Sequence, residues 1–248
     1  MKFATSKAHR DFFLKQGWIE FEGLMAEDQL ALFNQAVDQV LAERLKCTPQ
    51  KLSTFSAGKK FFQGRDMWRS DPFLHKIACN VRFAEIAAEL MELKTVRLGY
   101  DQLFPVPEKK VHLPEPSDVV YSNFLQKRAS LESVSCIQGV LGGLIFALNG
   151  EKGESLQKEG REGQEPLENG IDIFPEQAGN AIFFQPTAQI DWSRLSVHAD
   201  QRFYLIVYTS ARSLYILQPE DPHTHALKHL GYVFNDKLSD KLHPLICR

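Results

Sequence analysis

The sequence predicts a single, mostly β domain with α: helices over residues 1–95, a β core over 96–218 and a tail over 219–248. Three observations lead there. Apolar residues recur at helical spacing from Leu30 to Leu45, which marks a long amphipathic helix. Strand-like patterning starts at 96–104 and returns as β-branched and aromatic runs at 181–184 and 203–209. Between those strand regions, 149–170 reads NGEKGESLQKEGREGQEPLENG. So polar a stretch cannot bury enough surface to offset ordering, and it reads as a mobile insertion.

In chain order, Ser6 is placed to cap a first helix whose Phe12, Phe13 and Leu14 precede the breaker Gly17, and 18–21 then reads as a strand. Glu27 and Asp28 stand in the first turn of the long helix and Arg44 near its end, as the helix dipole favours. Thr48-Pro49 starts a short helix, and 58–64, GKKFFQG, reads as a basic-aromatic loop anchored by Phe61 or Phe62. Asp71-Pro72 and Asn80 open two further helices that pack on the outside of a sheet. After the strand at 96–104 come a proline-interrupted loop, a strand at 118–124 and an apolar run at 133–148, where Gly142-Gly143 bends or bulges the chain. In the tail, Asp221-Pro222 opens a helix carrying His225 and His229.

The net charge of −2 supplies no basic field for a phosphate backbone, so nucleic acid is not an expected partner. The four cysteines are scattered without a CxxC pair, which is the usage of a reducing compartment. The N-terminal stretch lacks the continuous apolar core of a signal peptide, and no run approaches the ~20 apolar residues that span a bilayer. A soluble, cytoplasmic protein without a membrane partner is the expectation.

Two stretches, AGNAIFFQP with RFYLIVYTS and FLKQGWIEFEGLMAEDQLALFNQAVDQVL, resemble phytanoyl-CoA dioxygenase-like proteins of the iron(II) and 2-oxoglutarate dependent oxygenase superfamily. The resemblance implies a double-stranded β-helix, the jelly-roll or cupin-like barrel, with N-terminal helices packed on one sheet. It also implies an iron site of two His and one carboxylate, and an Arg that pairs with the cosubstrate carboxylate. Laid on this chain, the Arg falls on Arg202, the His-x-Asp pair on Pro116 and Asp118, and the distal His on Ile190.

Proline and isoleucine cannot ligate iron, so the resemblance implies a family member with a degenerate metal site. The reading it favours is a protein that binds a small organic acid or a protein partner without oxidative turnover and without a metal or cofactor, with Arg202 taking a carboxylate. An alternative is an active iron(II)/2-oxoglutarate hydroxylase with displaced ligands His112, Asp118 and His198. A third is an interaction protein whose barrel is filled by side chains. The competing assignments are a strand-start role for Asp118 and a rim salt bridge for Arg202. His223, His225 and His229 lack the carboxylate of an HExxH site and read as exposed histidines, and Ser193 and Ser196 have no nucleophile elbow.

Overall fold

A computed structural model of the chain describes residues 6–106, 114–150, 171, 174–197 and 201–247. The expected insertion beyond Gly150, His112 and His198 lie outside the described residues. In order, the helices are α1 (Lys7–Gln16), α2 (Glu27–Arg44), α3 (Ala57–Gln63), α4 (Pro72–Ala78), α5 (Val81–Leu90), α6 (Pro116–Leu125) and α7 (Arg194–Val197). The strands are β1 (Trp18–Phe21), β2 (Val96–Phe104), β3 (Arg128–Ala129), β4 (Ile137–Ala147), β5 (Ala181–Phe184), β6 (Ile190–Asp191), β7 (Phe203–Tyr215) and β8 (Leu245–Cys247). Six strands form one antiparallel sheet in the order β1-β5-β4-β7-β2-β8, and β3 pairs with β6 in a separate ribbon. This mixed α/β architecture is consistent with the jelly-roll expectation; its second layer is here a two-stranded ribbon. No helix among the described residues is long and apolar enough to cross a membrane.

Each face of the sheet carries its own core. On one face α1, α2, α4 and α5 bring Phe13, Phe33, Val37, Leu74 and Phe83 against Leu98, Leu144, Phe183 and Tyr204. On the other, α3, α6, the ribbon and the C-terminal segment enclose Tyr100, Phe104, Ile145, Phe184 and Leu205 with Phe61, Phe124 and Trp192. Strand alternation explains the division, because neighbouring residues point to opposite faces.

Local chemistry sets the helix ends. Ser6 Oγ accepts from His9 N, Asp71 from Phe73 N and Leu74 N, and Asn80 from Arg82 N, as the sequence leads one to expect. Gly17 closes α1 in the left-handed region at φ 79°.

Three local expectations are corrected. Residues 58–63 belong to helix α3, with Gly64 as its C-cap, and are not a loop, because Ser56 caps the helix and Phe61 faces the core. Gly58 is there for contact: a Cβ would meet Ser117 O at 2.5 Å and Asp118 Cα at 2.6 Å in α6. The strand expected at 118–124 is helix α6. Pro116 stands at its first position, and the 121, 124, 125 spacing buries Tyr121, Phe124 and Leu125 on one side, which overrides the β-branched Val119-Val120 pair. In the tail, 221–225 is turn and only Ala226–Leu230 forms a short 3₁₀ helix. The strand at 203–209 runs on to Tyr215.

Candidate functional site

The site begins with one extra residue in β2. Leu98 pairs with Tyr208 and Tyr100 with Val207, so Gly99 has no partner of its own and forms a β-bulge. A Cβ at Gly99 would meet Thr209 Cγ2 at 2.6 Å, which leaves glycine as the residue that fits. Beyond the bulge Tyr100 and Phe104 join the α3/α6 core, while Leu103 stays on the long-helix side and Asp101 bonds there to Met67 and Trp68. Gln102, two residues from each, follows Tyr100 and Phe104 by alternation.

Arg65 is brought opposite Gln102 by a short antiparallel bridge: Leu103 N donates to Gly64 O at 2.8 Å and Asp66 N to Asp101 O at 3.1 Å. Arg44 from α2 fastens that segment, donating to the carbonyls of Gln63, Arg65 and Asp66 at 2.7, 2.6 and 2.9 Å. The Arg65 guanidinium carbon lies 3.2 Å from the Tyr100 ring centroid, a cation–π contact. Its Nη2 reaches 3.7 Å from Asp221 Oδ2, too long for a hydrogen bond. Asp221 is instead held by backbone, accepting from Cys136 N at 2.7 Å and His223 N at 2.8 Å.

These groups share a pocket with Phe61, Phe104, Phe124 and Trp192. Counted to its open mouth the depression is about 290 Å³, of which only about 20 Å³ is room for a water-sized group. That is about one water molecule. The aromatic walls pack closely, with Phe61 against Tyr121 at 4.6 Å, Phe124 against Trp192 at 5.2 Å and Phe104 against Trp192 at 5.6 Å between centroids.

Burial governs the electrostatics. It pushes the His223 imidazole down to about 3, with Arg65 adding to the effect, so this ring is neutral at neutral pH. It pushes the Tyr100 phenol up to about 12. Four polar atoms of the cluster have no hydrogen-bond partner among the described residues: Arg65 Nε and Nη2, Gln102 Oε1 and His223 Nε2.

Apart from His223, the described residues singled out in the sequence as site candidates lie elsewhere. Arg202 sits on the long-helix face, not in the pocket. Its Nε donates to Asn34 Oδ1 at 2.7 Å and its Nη1 to Asp38 Oδ1 at 2.7 Å, both on α2. The physical reason is alternation: Phe203 joins the α3/α6 core and Tyr204 the long-helix core, so Arg202 shares the face of Tyr204. Pro116 and Asp118 open α6, where Asp118 accepts from Gly58 N at 3.0 Å and Glu115 N at 2.9 Å. Ile190 is fully buried, paired with Ala129 and bridged to Ile171. His225 and His229 are exposed, but His223 is buried, because the turn at 221–225 folds its ring between Phe61 and Phe62 at 5.1 and 5.0 Å.

Of the positions the resemblance and its alternative name for an iron centre, Pro116, Asp118 and Ile190 are among the described residues. Asp118 is engaged by backbone amides, Pro116 and Ile190 bring no donor atom, and no group of three His, Cys, Asp or Glu among the described residues is placed to hold a metal ion.

Sequence reasoning missed Arg65 and Gln102, and it read Asp221 as a helix start and His223 as exposed. The only signal was the alternation of Tyr100, Gln102 and Phe104, since nothing local tells that Arg65 bridges to that strand.

No protein-family model matches the sequence, and no match to it is found among curated proteins. Solved structures do match. The non-heme alpha ketoglutarate dependent carbocyclase SnoK from nogalamycin biosynthesis is similar at TM-score 0.61 and 16% identity, over 97% of this chain and 96% of that one. The epimerase SnoN from the same biosynthesis is similar at TM-score 0.60 and 15% identity, over 96% and 97%. SnoN in complex with Fe3+, alpha ketoglutarate and nogalamycin RO gives 0.56 at 15% identity, over 96% of each chain. The chain therefore shares the fold of non-heme alpha ketoglutarate dependent enzymes.

Proposed function

We propose that this chain is a divergent, phytanoyl-CoA dioxygenase-like protein that binds a small organic acid and does not oxidise a substrate with iron(II) and 2-oxoglutarate. One observation carries the reading. Where the resemblance sets the first ligand pair, the chain forms the start of α6, and Asp118 spends its carboxylate on the amides of Gly58 and Glu115. A helix start ties that carboxylate to its own backbone and to α3.

Catalysis by such a metal depends on ligands oriented by their surroundings, and losing both imidazole positions removes the site rather than retuning it. The displaced-ligand hydroxylase would have to draw Asp118 away from those two amides. A second reading, an interaction protein with a filled barrel, is favoured by the closely packed aromatics of the pocket. Saturable binding of a small acid separates it from the first.

The test is succinate release from 2-oxoglutarate with Fe(II), ascorbate and oxygen, first alone and then with a panel of acyl-thioesters and amino acids. Succinate at the level of the no-enzyme control is expected throughout. Succinate above that level, lost in both His112→Ala and His198→Ala, would establish the displaced-ligand hydroxylase instead.

A further inference from the structure

Four polar atoms at one small cavity make up the complement of a single water molecule. Arg65 Nε and Nη2, Gln102 Oε1 and His223 Nε2 have no hydrogen-bond partner among the described residues. The three residues line one cavity, with about 20 Å³ of room for a water-sized group. They are 7%, 2% and 8% exposed, so solvent at the protein surface does not serve them. Leaving that many buried polar groups unmade is costly, and native chains avoid it.

The role of each atom is fixed by its neighbours. The two guanidinium nitrogens only donate. Gln102 Oε1 only accepts, because the amide nitrogen is committed to the carbonyls of Phe61 and Leu103 at 2.9 Å each, which sets the orientation of the amide. The His223 ring is neutral, and its hydrogen bond to the Phe62 backbone favours the protonated ring. A ring N–H donating to the carbonyl has that effect, so Nδ1 carries the proton and Nε2 the lone pair. Two donors and two acceptors remain. A water molecule brings two lone pairs and two O–H groups, and a buried water makes about two to four hydrogen bonds.

The same set rejects other occupants of that size. A halide would accept from Arg65 but meet two lone pairs, and Asp221 Oδ2, 3.7 Å from Nη2, adds negative charge. A small cation is repelled by the guanidinium, and an organic acid exceeds the room. The scaffold keeps the three side chains together. Arg65 is bridged to Gln102 across the backbone, and Tyr100 covers its guanidinium at 3.2 Å. Phe61 joins the other two, accepting from Gln102 and packing its ring 5.1 Å from that of His223.

We propose that this cavity is a built site for one water molecule, which accepts from the Nε/Nη2 edge of Arg65 and donates to Gln102 Oε1 and His223 Nε2. The water joins β2, the segment after α3 and the 221–225 turn. It is independent of the acid-binding reading, and it closes the Arg65 edge to any carboxylate.

The test is a crystal structure of the full chain at a resolution that shows ordered water, together with deuteron magnetic relaxation dispersion in solution, which counts long-lived waters. One density peak at hydrogen-bond distance from at least three of the four atoms is expected. It should persist in crystals soaked in sodium acetate or sodium bromide. His223→Phe keeps a ring between Phe61 and Phe62 and removes Nε2, and it should remove one long-lived water or shorten its residence at least tenfold. The wild-type crystal needs no variant to fold. No density at the site, an Arg65 edge closed directly on Asp221, an acetate or an anomalous bromide peak in place of the water, or an unchanged relaxation profile in His223→Phe would each overturn the proposal.

Discussion

Replacing Asp118 by alanine separates a helix-start carboxylate from a metal ligand. In the structure the side chain accepts from Gly58 N at 3.0 Å and Glu115 N at 2.9 Å, so it closes the first turn of α6 and ties that turn to α3. Removing a helix-start acceptor costs about 1 kcal/mol. The bond from Gly58 to a charged acceptor contributes about 1.5–3 kcal/mol where it is fully shielded, and less here because the site is only half-buried. A destabilisation of about 2–3 kcal/mol follows. For a chain of this size that lowers Tm by about 4–12 °C. Urea and thermal unfolding read it directly, each with and without Fe(II) and 2-oxoglutarate. Asp118→Asn, which keeps one acceptor oxygen, should lose about half as much. A loss under about 0.5 kcal/mol would refute the structural role. So would a metal-dependent rise in wild-type Tm that Asp118→Ala abolishes, since the carboxylate would then be serving the ion.

Two further outcomes follow from buried charge. Arg202→Ala should lower stability by about 1–3 kcal/mol in urea unfolding, because it strips Asn34 and Asp38 of their shared partner. Asp101 is pushed up to about 7 by burial and by Asp66, so its stabilising contribution is complete below its unfolded value of 3.8 and is lost as pH rises through about 7. His223 and His243, both pushed down to about 3 by burial, work in the opposite sense, losing stability as pH falls from 6.5 towards 3. Each proton contributes a slope of about 1.4 kcal/mol per pH unit. Stability measured by urea unfolding should therefore rise from pH 4 to about 6.5, where two histidines outweigh one carboxyl, and then decline to about pH 7. Asp101→Asn should remove that decline; an unchanged decline would place it on another group.

Much of the fold was legible because it is written in period. β2, β5 and the start of β7 stand where alternation and β-branched runs put them, and α1, α2, α4 and α5 begin at side-chain caps or acidic first turns. The misreadings came from single residues with two physical uses. The 58–64 stretch reads as a loop, but α3 uses Gly58 to approach α6, where a side chain would collide with Ser117 O. Val119 and Val120 favour a strand by propensity, yet both are exposed on α6, and the buried set is Tyr121, Phe124 and Leu125. The run past Thr209 was hidden by Ser210-Ala211-Arg212-Ser213, which the pairing skips: Val140 faces Thr209 and Gln138 faces Leu214.

The candidate site was illegible for a different reason. Its groups come from 65, 100–104, 136 and 221–223, and each is unremarkable among its own neighbours. Arg65 follows a helix and a glycine, Gln102 lies in an ordinary strand, and His223 belongs to an HxH pair whose other member, His225, is exposed. What joins them is Gly99. Its extra residue reverses the faces of β2, sending Tyr100 towards the pocket and Asp101 to the opposite side, where it meets Met67 N, Trp68 N and the Tyr204 hydroxyl. The same bulge thus supplies the pocket with its cation–π platform and the helix side with a buried carboxyl that holds the 66–68 turn. That turn continues from Arg65, and Arg44 ties both to α2 through the carbonyls of Arg65 and Asp66. The orientation of the guanidinium is consequently set from the far side of the sheet, by groups that no local pattern links to it. This is also why Arg202 misled: its place at the start of β7 is right, but the face it shares with Tyr204 delivers it to Asn34 and Asp38 instead of to the pocket.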